Sequence, residues 1–150
     1  WRKNFLHQSL CIAYHFPKTN HVKLYFPEEK EDRWYSNCSN QDIYGLDTLI
    51  SHGDLLIISK SQKDRLALKY DYGFENVIAV QNEGCFIPDD IIIDLKLRFK
   101  RIVVIFDNDL TGYEQAQKLS QKYNIEYKII ENDQKDIFDM KQKKYLIYNA

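Results

Sequence analysis

"RIVVIFDNDLTG", residues 101–112, begins as an apolar, β-branched run and stops at the carboxylates of Asp107 and Asp109. Gly112 follows three residues later, and a pattern typical of an amphipathic helix begins there. Long apolar runs of this kind are typical of strands in parallel sheets, because helices cover both faces of such a sheet. We therefore predict a strand over 101–109 and a helix over 111–123.

The same alternation of strand and helix patterns extends on both sides of this stretch. The predicted strands span 54–60, 76–81, 101–109 and 125–131, and the predicted helices span 61–73, 88–99 and 111–123. Gly73 is expected to end the first of these helices as its C-cap. Elements of these lengths in this order predict βαβ crossovers, and hence an α/β fold with a mostly parallel four-stranded sheet flanked by helices.

The first third of the chain has a different pattern, with short β segments separated by turns. A strand is predicted over 21–27, a return strand over 33–37, and an earlier strand over 10–16 that pairs with the return strand. We therefore expect three parts. They are a small β-rich subdomain at 1–50, the α/β domain at 51–140 and a C-terminal tail at 141–150.

The amino-acid composition limits the kinds of protein that this chain can be. The 150 residues include three cysteines far apart, which argues against a zinc site or a disulfide framework and favours a reducing compartment, the cytoplasm. No apolar run approaches the ~20 residues that cross a membrane. The chain opens on Trp1 without a signal peptide, from which we expect a fragment of a longer protein. A net charge of −1 gives no sign of a nucleic-acid binder, and the interleaved lysines and arginines equally fit a solvated surface.

Acidic residues follow three of the four predicted strands of the α/β domain. Glu83 follows the second strand, Asp107 and Asp109 follow the third, and further acids up to Asp136 follow the fourth. The carboxyl ends of parallel strands meet at one edge of a sheet, where ligands bind. Crowded carboxylates there favour a hard divalent cation, Mg²⁺ or Mn²⁺, with Asp107 and Asp109 as its first ligands and Glu83 as its third. For Asp109, capping of the next helix is the alternative.

Four segments together resemble one known family. The segments LLIISKSQKD, NVIAVQNEG, RIVVIFDNDLTG and QKDIFD follow in the order and spacing of a Toprim domain, over roughly residues 54–139. The stretch that precedes them is similar to the segment before Toprim in DnaG-like and phage-type primases. The resemblance implies a Toprim fold preceded by the β-rich subdomain, and a phage or mobile-element primase core as the nearest type.

One position departs from the family pattern. Lys60 stands where the motif glutamate, a metal ligand or general acid/base, is usual, whereas Asp64 keeps the second acid. Some phage-type Toprim sequences look similar to this arrangement, in which Glu83 supplies the missing carboxylate from the next strand. Lys60 then meets the nucleotide phosphates or the product oxyanion as a fixed cation. The alternative is that Lys60 only neutralises the acids and leaves the domain inactive.

The resemblance implies the catalytic core of a DNA primase, which synthesises RNA primers on a single-stranded DNA template from ribonucleoside triphosphates by metal-dependent nucleotidyl transfer. By the same resemblance, Lys23, Arg33 and Asn37 contact nucleotide or template, and Lys135 and Asp136 support the metal site. The expected partners in the full-length protein are a replicative helicase and a zinc-binding domain, with no membrane.

Two other functions remain open from the sequence. One is a Toprim nuclease or a topoisomerase-like strand transferase, although the 11 tyrosines include none whose context singles it out as a nucleophile. The other is a catalytically inert nucleic-acid-binding Toprim module, in which Lys60 takes the place of the metal.

Overall fold

The computed structural model describes residues 10–82, 84, 86–130 and 137–138, and it divides into two compact units, Trp1–Asp42 and Ile43–Ala150. The boundary predicted at residue 50 therefore falls inside the second unit. The reason is packing: Ile43 is buried in the core of the second unit, and Tyr44 forms a β-bridge with Ala79.

The first unit contains a three-stranded antiparallel sheet. Its strands are β1 (Ile12–Phe16), β2 (His21–Tyr25) and β3 (Trp34–Ser36), in the order β1-β2-β3. The prediction that the first strand pairs with the return strand was wrong, because β1 pairs with β2. The two are joined by a four-residue turn that includes Asn20 at φ 57°, and so short a connection favours pairing of consecutive strands.

A buried carboxylate joins several segments of this unit. Asp42, which is 2% exposed, accepts hydrogen bonds from Thr19 Oγ1 (2.5 Å), His21 Nδ1 (2.7 Å) and the Ser39 amide (2.7 Å). Burial alone raises the pKa of the Asp42 carboxyl. The hydrogen bonds and the charge interaction with His21 outweigh burial and leave that pKa below its usual value.

Replacing Asp42 with asparagine is expected to lower the free energy of unfolding by about 2–3 kcal/mol, because an amide NH₂ would face donors from His21 and Ser39. Since the folded pKa is lowered, the advantage of the wild type is complete above the unfolded pKa of ~3.9 and is lost as pH falls below it. Urea unfolding at pH 7 and near pH 3 measures this. The exposed Glu28→Gln is the matched control, and an equal loss in both variants would contradict the prediction.

The second unit is built on a four-stranded parallel sheet with the order β5-β4-β6-β7. Its strands are β4 (Gly53–Ser59), β5 (Val77–Ala79), β6 (Phe99–Ile105) and β7 (Glu126–Lys128), and its helices are α1 (Gln62–Tyr70), α2 (Asp89–Arg98) and α3 (Leu110–Tyr123). Each strand and helix predicted for the α/β domain is present. The third strand ends at Ile105, earlier than predicted, because Asp109 begins α3 as its N-cap.

Helices cover both faces of the parallel sheet. Ile58 and Val104 point toward the face that packs against α2 and α3, whereas Ile57 and Val103 point toward the face that packs against α1. This two-sided burial explains the continuous apolar runs of β4 and β6. The helix α1 ends before Gly73, with Asp71 as its C-cap, so the predicted C-cap was wrong; Gly73 occupies the following turn at φ +79°.

The strand order creates a crevice between the carboxyl ends of β4 and β6. The chain leaves β4 toward β5 on one side and leaves β6 toward β7 on the other, so the direction of the connections reverses between β4 and β6. Such topological switch points are where open α/β sheets bind ligands. Within the described ranges, none of the helices is long and apolar enough to cross a membrane.

Candidate active site

An ion pair lies in the crevice between β4 and β6. Lys60 directly follows β4, Asp107 lies two residues beyond β6, and Lys60 Nζ contacts Asp107 Oδ2. The Asp107 side chain is 2% exposed, and the Lys60 side chain is 26% exposed. Lys60, at the motif position, therefore contacts one of the predicted metal ligands. This contact bears on both roles predicted for Lys60, which are to bind phosphates and to neutralise the acids.

The second aspartate caps the following helix. Asp109 Oδ1 accepts a hydrogen bond from the Gly112 amide at 2.9 Å, which satisfies one of the unpaired amides at the start of α3. The capping alternative for Asp109 is thus confirmed. Since this contact uses Oδ1, capping and metal binding through the second oxygen are chemically compatible.

Gly112 is required by a close approach of two backbone segments. A Cβ at this position would overlap the carbonyl oxygen of Asp107 and lie 2.9 Å from its amide nitrogen. The Asp-x-Asp-x-x-Gly spacing therefore has a physical basis. The first aspartate follows the strand, the second caps the helix, and the glycine allows the helix to pack closely against the backbone of the first aspartate.

Asp64 organises the start of α1. Its side chain is 2% exposed and accepts from Ser61 Oγ at 2.5 Å, while the Asp64 amide donates to the same oxygen at 3.2 Å. The Phe138 amide also donates to Asp64 Oδ1, at 3.3 Å. Asp64 therefore positions α1 directly after Lys60. The Ser-x-x-Asp spacing before a helix is the sequence signal for this cap, with Ser61 as the N-cap residue.

The acidic pair fits a divalent cation in its donor chemistry. Mg²⁺ commonly binds through one or two carboxylates and completes its shell with water and substrate phosphates, and Asp107 and Asp109 supply such oxygens. A divalent cation held by Asp107 would require Lys60 to move away, and the Lys60 side chain is long, flexible and partly exposed. The described part of the chain contains no cluster of three or more His, Cys, Asp or Glu able to bind a metal.

Three predicted site residues lie outside the described residues. These are Glu83, the predicted third ligand, and the supporting pair Lys135 and Asp136. The roles predicted for them stay predictions.

Three of the four predicted nucleotide or template residues lie in the first unit, and the fourth, Lys60, lies in the second. Lys23 is in β2, Arg33 immediately precedes β3, and Asn37 immediately follows it. The Asn37 side-chain oxygen accepts from the Val22 amide at 2.7 Å and so extends the sheet. Asn37 therefore has a structural contact in addition to its predicted role.

A family model for the Toprim domain matches residues 54–131, just over half of the chain. The chain belongs to the Toprim domain family. The match extends from β4 to just beyond β7 and includes Lys60, Asp64, Asp107 and Asp109. The predicted Toprim fold is therefore confirmed, as is its place after a β-rich segment.

Solved structures with a similar fold include DNA primases. A DNA primase domain from Pseudomonas aeruginosa has a TM-score of 0.68 at 13% identity, over 91% of this chain and 47% of that one. The primase fragment of the bacteriophage T7 primase-helicase protein has a TM-score of 0.60 at 12% identity, over 86% and 56%. The Aquifex aeolicus primase, with zinc-binding and RNA polymerase domains, has a TM-score of 0.64 at 15% identity, over 92% and 38%.

At these identities the likeness establishes the fold alone. This Toprim chain spans about half the length of the first two of these primase chains. A sequence search of curated proteins finds no relative.

Proposed function

We propose that this chain is part of the catalytic core of a DNA primase of the DnaG-like, phage-type class. The reaction is metal-dependent synthesis of RNA primers on single-stranded DNA from ribonucleoside triphosphates. The observation that carries the proposal is the pair Asp107 and Asp109 at the switch point of a Toprim fold. The similarity of the fold to primase catalytic cores supports it.

The metal site consists of Asp107 and Asp109, with Glu83 as the proposed third ligand. A bound Mg²⁺ or Mn²⁺ supplies charge neutralisation and polarisation of the triphosphate. Asp109 holds its orientation through the cap on α3, and Asp107 holds its place because its backbone packs against Gly112. The two carboxylates are thus positioned before a ligand arrives, which reduces the cost of ordering them.

Lys60 acts on the phosphates in this proposal. With a metal on Asp107, Lys60 would leave the carboxylate and its ammonium would turn to the triphosphate of the incoming nucleotide. The site then keeps its positive charge where negative charge develops during transfer. Ser61 and Asp64 hold the first turn of α1 behind Lys60, so the base of its side chain stays in place.

The remaining proposed contacts extend the site to its substrates and partners. Lys23, Arg33 and Asn37 contact template or nucleotide, and Lys135 and Asp136 support the metal ligands. Because one similar structure comes from a primase-helicase protein and another includes a zinc-binding domain, we propose a helicase and a zinc-binding domain as partners of the full-length protein.

The experiment that tests the proposal is ribonucleotide incorporation on a single-stranded DNA template. The chain is incubated with ribonucleoside triphosphates and Mg²⁺ or Mn²⁺, and product is measured with and without EDTA. We expect template-dependent products that EDTA abolishes. Nicking of duplex DNA without synthesis would contradict the proposal and identify a Toprim nuclease.

A second candidate function is an inert nucleic-acid-binding Toprim module. The observation that favours it is the ion pair between Lys60 and Asp107, in which the lysine already neutralises a predicted ligand. Under this alternative the chain binds template without turnover in either metal. The same assay, combined with a measurement of template binding, separates the two functions.

A further inference from the structure

One face of the antiparallel sheet in the first unit carries aromatic rings. The strand register places Tyr25 opposite Trp34 and Tyr14 opposite Lys23, so these four side chains lie on the same face. The rings of Tyr25 and Trp34 stack, with centroids 4.2 Å apart and planes 18° apart. The Tyr14 ring is nearly parallel to that of Trp34, at 6.5 Å and 20°.

Two cations accompany these rings. Lys23 Nζ lies 4.8 Å from the centroid of Trp34. The Arg33 guanidinium lies 5.4 Å from the centroid of Tyr25 and donates a hydrogen bond to the Tyr25 hydroxyl at 2.8 Å. This surface therefore combines stacked rings with positive charge, and we call it the aromatic platform (Tyr14, Lys23, Tyr25, Arg33 and Trp34).

The central ring of the platform is open to solvent. Trp34 is 50% exposed, although large aromatic side chains are usually well buried in a folded unit. Its neighbour Tyr35 points to the opposite face, where it contacts the buried Phe26 edge-on. Packing within the unit therefore explains the position of Tyr35, but it does not explain why the stacked ring of Trp34 is exposed to solvent.

We propose that the aromatic platform binds single-stranded DNA by stacking a base on Trp34. The base takes the place of the Lys23 ammonium over the ring, and Lys23 and Arg33 bind the flanking phosphates. This exchange is favourable because an exposed cation–π contact is weaker than base stacking on an aromatic ring, and the displaced ammonium gains a phosphate. Stacking needs no particular base, which suits a strand of any sequence.

The surrounding charges indicate the direction of the bound strand. The loop between β2 and β3 carries four acids, Glu28, Glu29, Glu31 and Asp32, which repel phosphates. This loop adjoins the row of Tyr25 and Trp34, whereas the row of Tyr14 and Lys23 lies further from it. The bound DNA strand is therefore expected to run from Trp34 over Lys23 and Tyr14. That this strand is a primase template rests on the proposed function; the stacking site itself does not.

The test uses the fluorescence of Trp34. The chain has two tryptophans, so Trp1→Phe leaves Trp34 as the single emitter. Titration with oligo(dT) in EDTA is expected to quench this emission saturably. By anisotropy of labelled oligo(dT), Trp34→Ala is expected to bind roughly tenfold more weakly, with Trp34→Phe between it and the wild type. Tyr70→Ala, an exposed aromatic on α1, is the matched control and is expected to bind as the wild type does.

Salt dependence tests the cations. Lys23→Ala is expected to reduce the slope of log K against log salt by roughly 0.7, the value for one phosphate contact on a single strand. Saturable binding without quenching, unchanged binding by Trp34→Ala, or equal affinity for duplex DNA would overturn the proposal. The fluorescence titration contains EDTA, so it does not depend on divalent metal. If oligo(dT) quenches Trp34 but the chain does not incorporate ribonucleotides, only the proposed function would be overturned. Incorporation without quenching would overturn the platform alone.

Discussion

Replacing Asp107 with asparagine is expected to lower the rate of ribonucleotide incorporation by about 10²–10³-fold or more. The amide keeps the shape of the carboxylate but removes the charge that a divalent cation requires. It also leaves Lys60 without its carboxylate, which is expected to lower the free energy of unfolding by about 2 kcal/mol. Incorporation assays and urea unfolding measure the two effects separately.

Two controls separate catalysis from stability in this prediction. Asp54→Asn removes an exposed carboxylate at the opposite end of β4, where it pairs with Lys100 at 2.7 Å, and we expect activity within about twofold of the wild type. The double variant Lys60→Met with Asp107→Asn is expected to regain stability but not activity. If Asp107→Asn lost stability only and kept full activity, the metal-ligand role of Asp107 would be wrong.

Replacing Gly112 with alanine is expected to have the second largest effect. The added Cβ overlaps the Asp107 carbonyl oxygen, so α3 must move away from the end of β6. Overpacking of this kind costs about 1–3 kcal/mol of unfolding free energy, and displacing a catalytic group by about 1 Å costs roughly 10²-fold in rate. Both losses are therefore expected from one methyl group, and the same two assays measure them.

The matched control for Gly112→Ala is Thr111→Ala. Thr111 is exposed in the first turn of the same helix, so this variant tests the effect of alanine on α3 without the steric overlap. We expect changes within about 0.5 kcal/mol and twofold in rate. Equal activity of Gly112→Ala and Thr111→Ala would show that the spacing between Asp107 and α3 does not matter for function.

The sequence was sufficient to predict the parallel sheet because its signals are local. The apolar runs of β4 and β6, and the helix opening at Pro88, each depend on neighbouring residues alone. The same holds for Asp107 and Asp109, which follow β6. Their approximate position follows from the chain order of strands and helices, without knowledge of which strand pairs with which.

The contacts within the site depend on strand order, which no local pattern fixes. Lys60 and Asp107 are 47 residues apart in the chain and meet because β4 and β6 are neighbours in the sheet. Arg65, a charged residue in α1, is a similar case. It is 7% exposed, and its Nε donates to the Val77 carbonyl at 2.9 Å. Its loss of hydration lowers the pKa of the guanidinium.

Asp107 is proposed to bind a divalent cation in competition with Lys60. Mn²⁺ titration followed by electron paramagnetic resonance tests this competition directly, without any need for turnover. Relative to the wild type, we expect Asp107→Asn to bind Mn²⁺ at least tenfold more weakly, because the metal loses a charged ligand. Lys60→Gln is expected to bind it roughly three- to tenfold more tightly, because the competing ammonium is gone. Equal Mn²⁺ affinity in the wild type and both variants would contradict the claim.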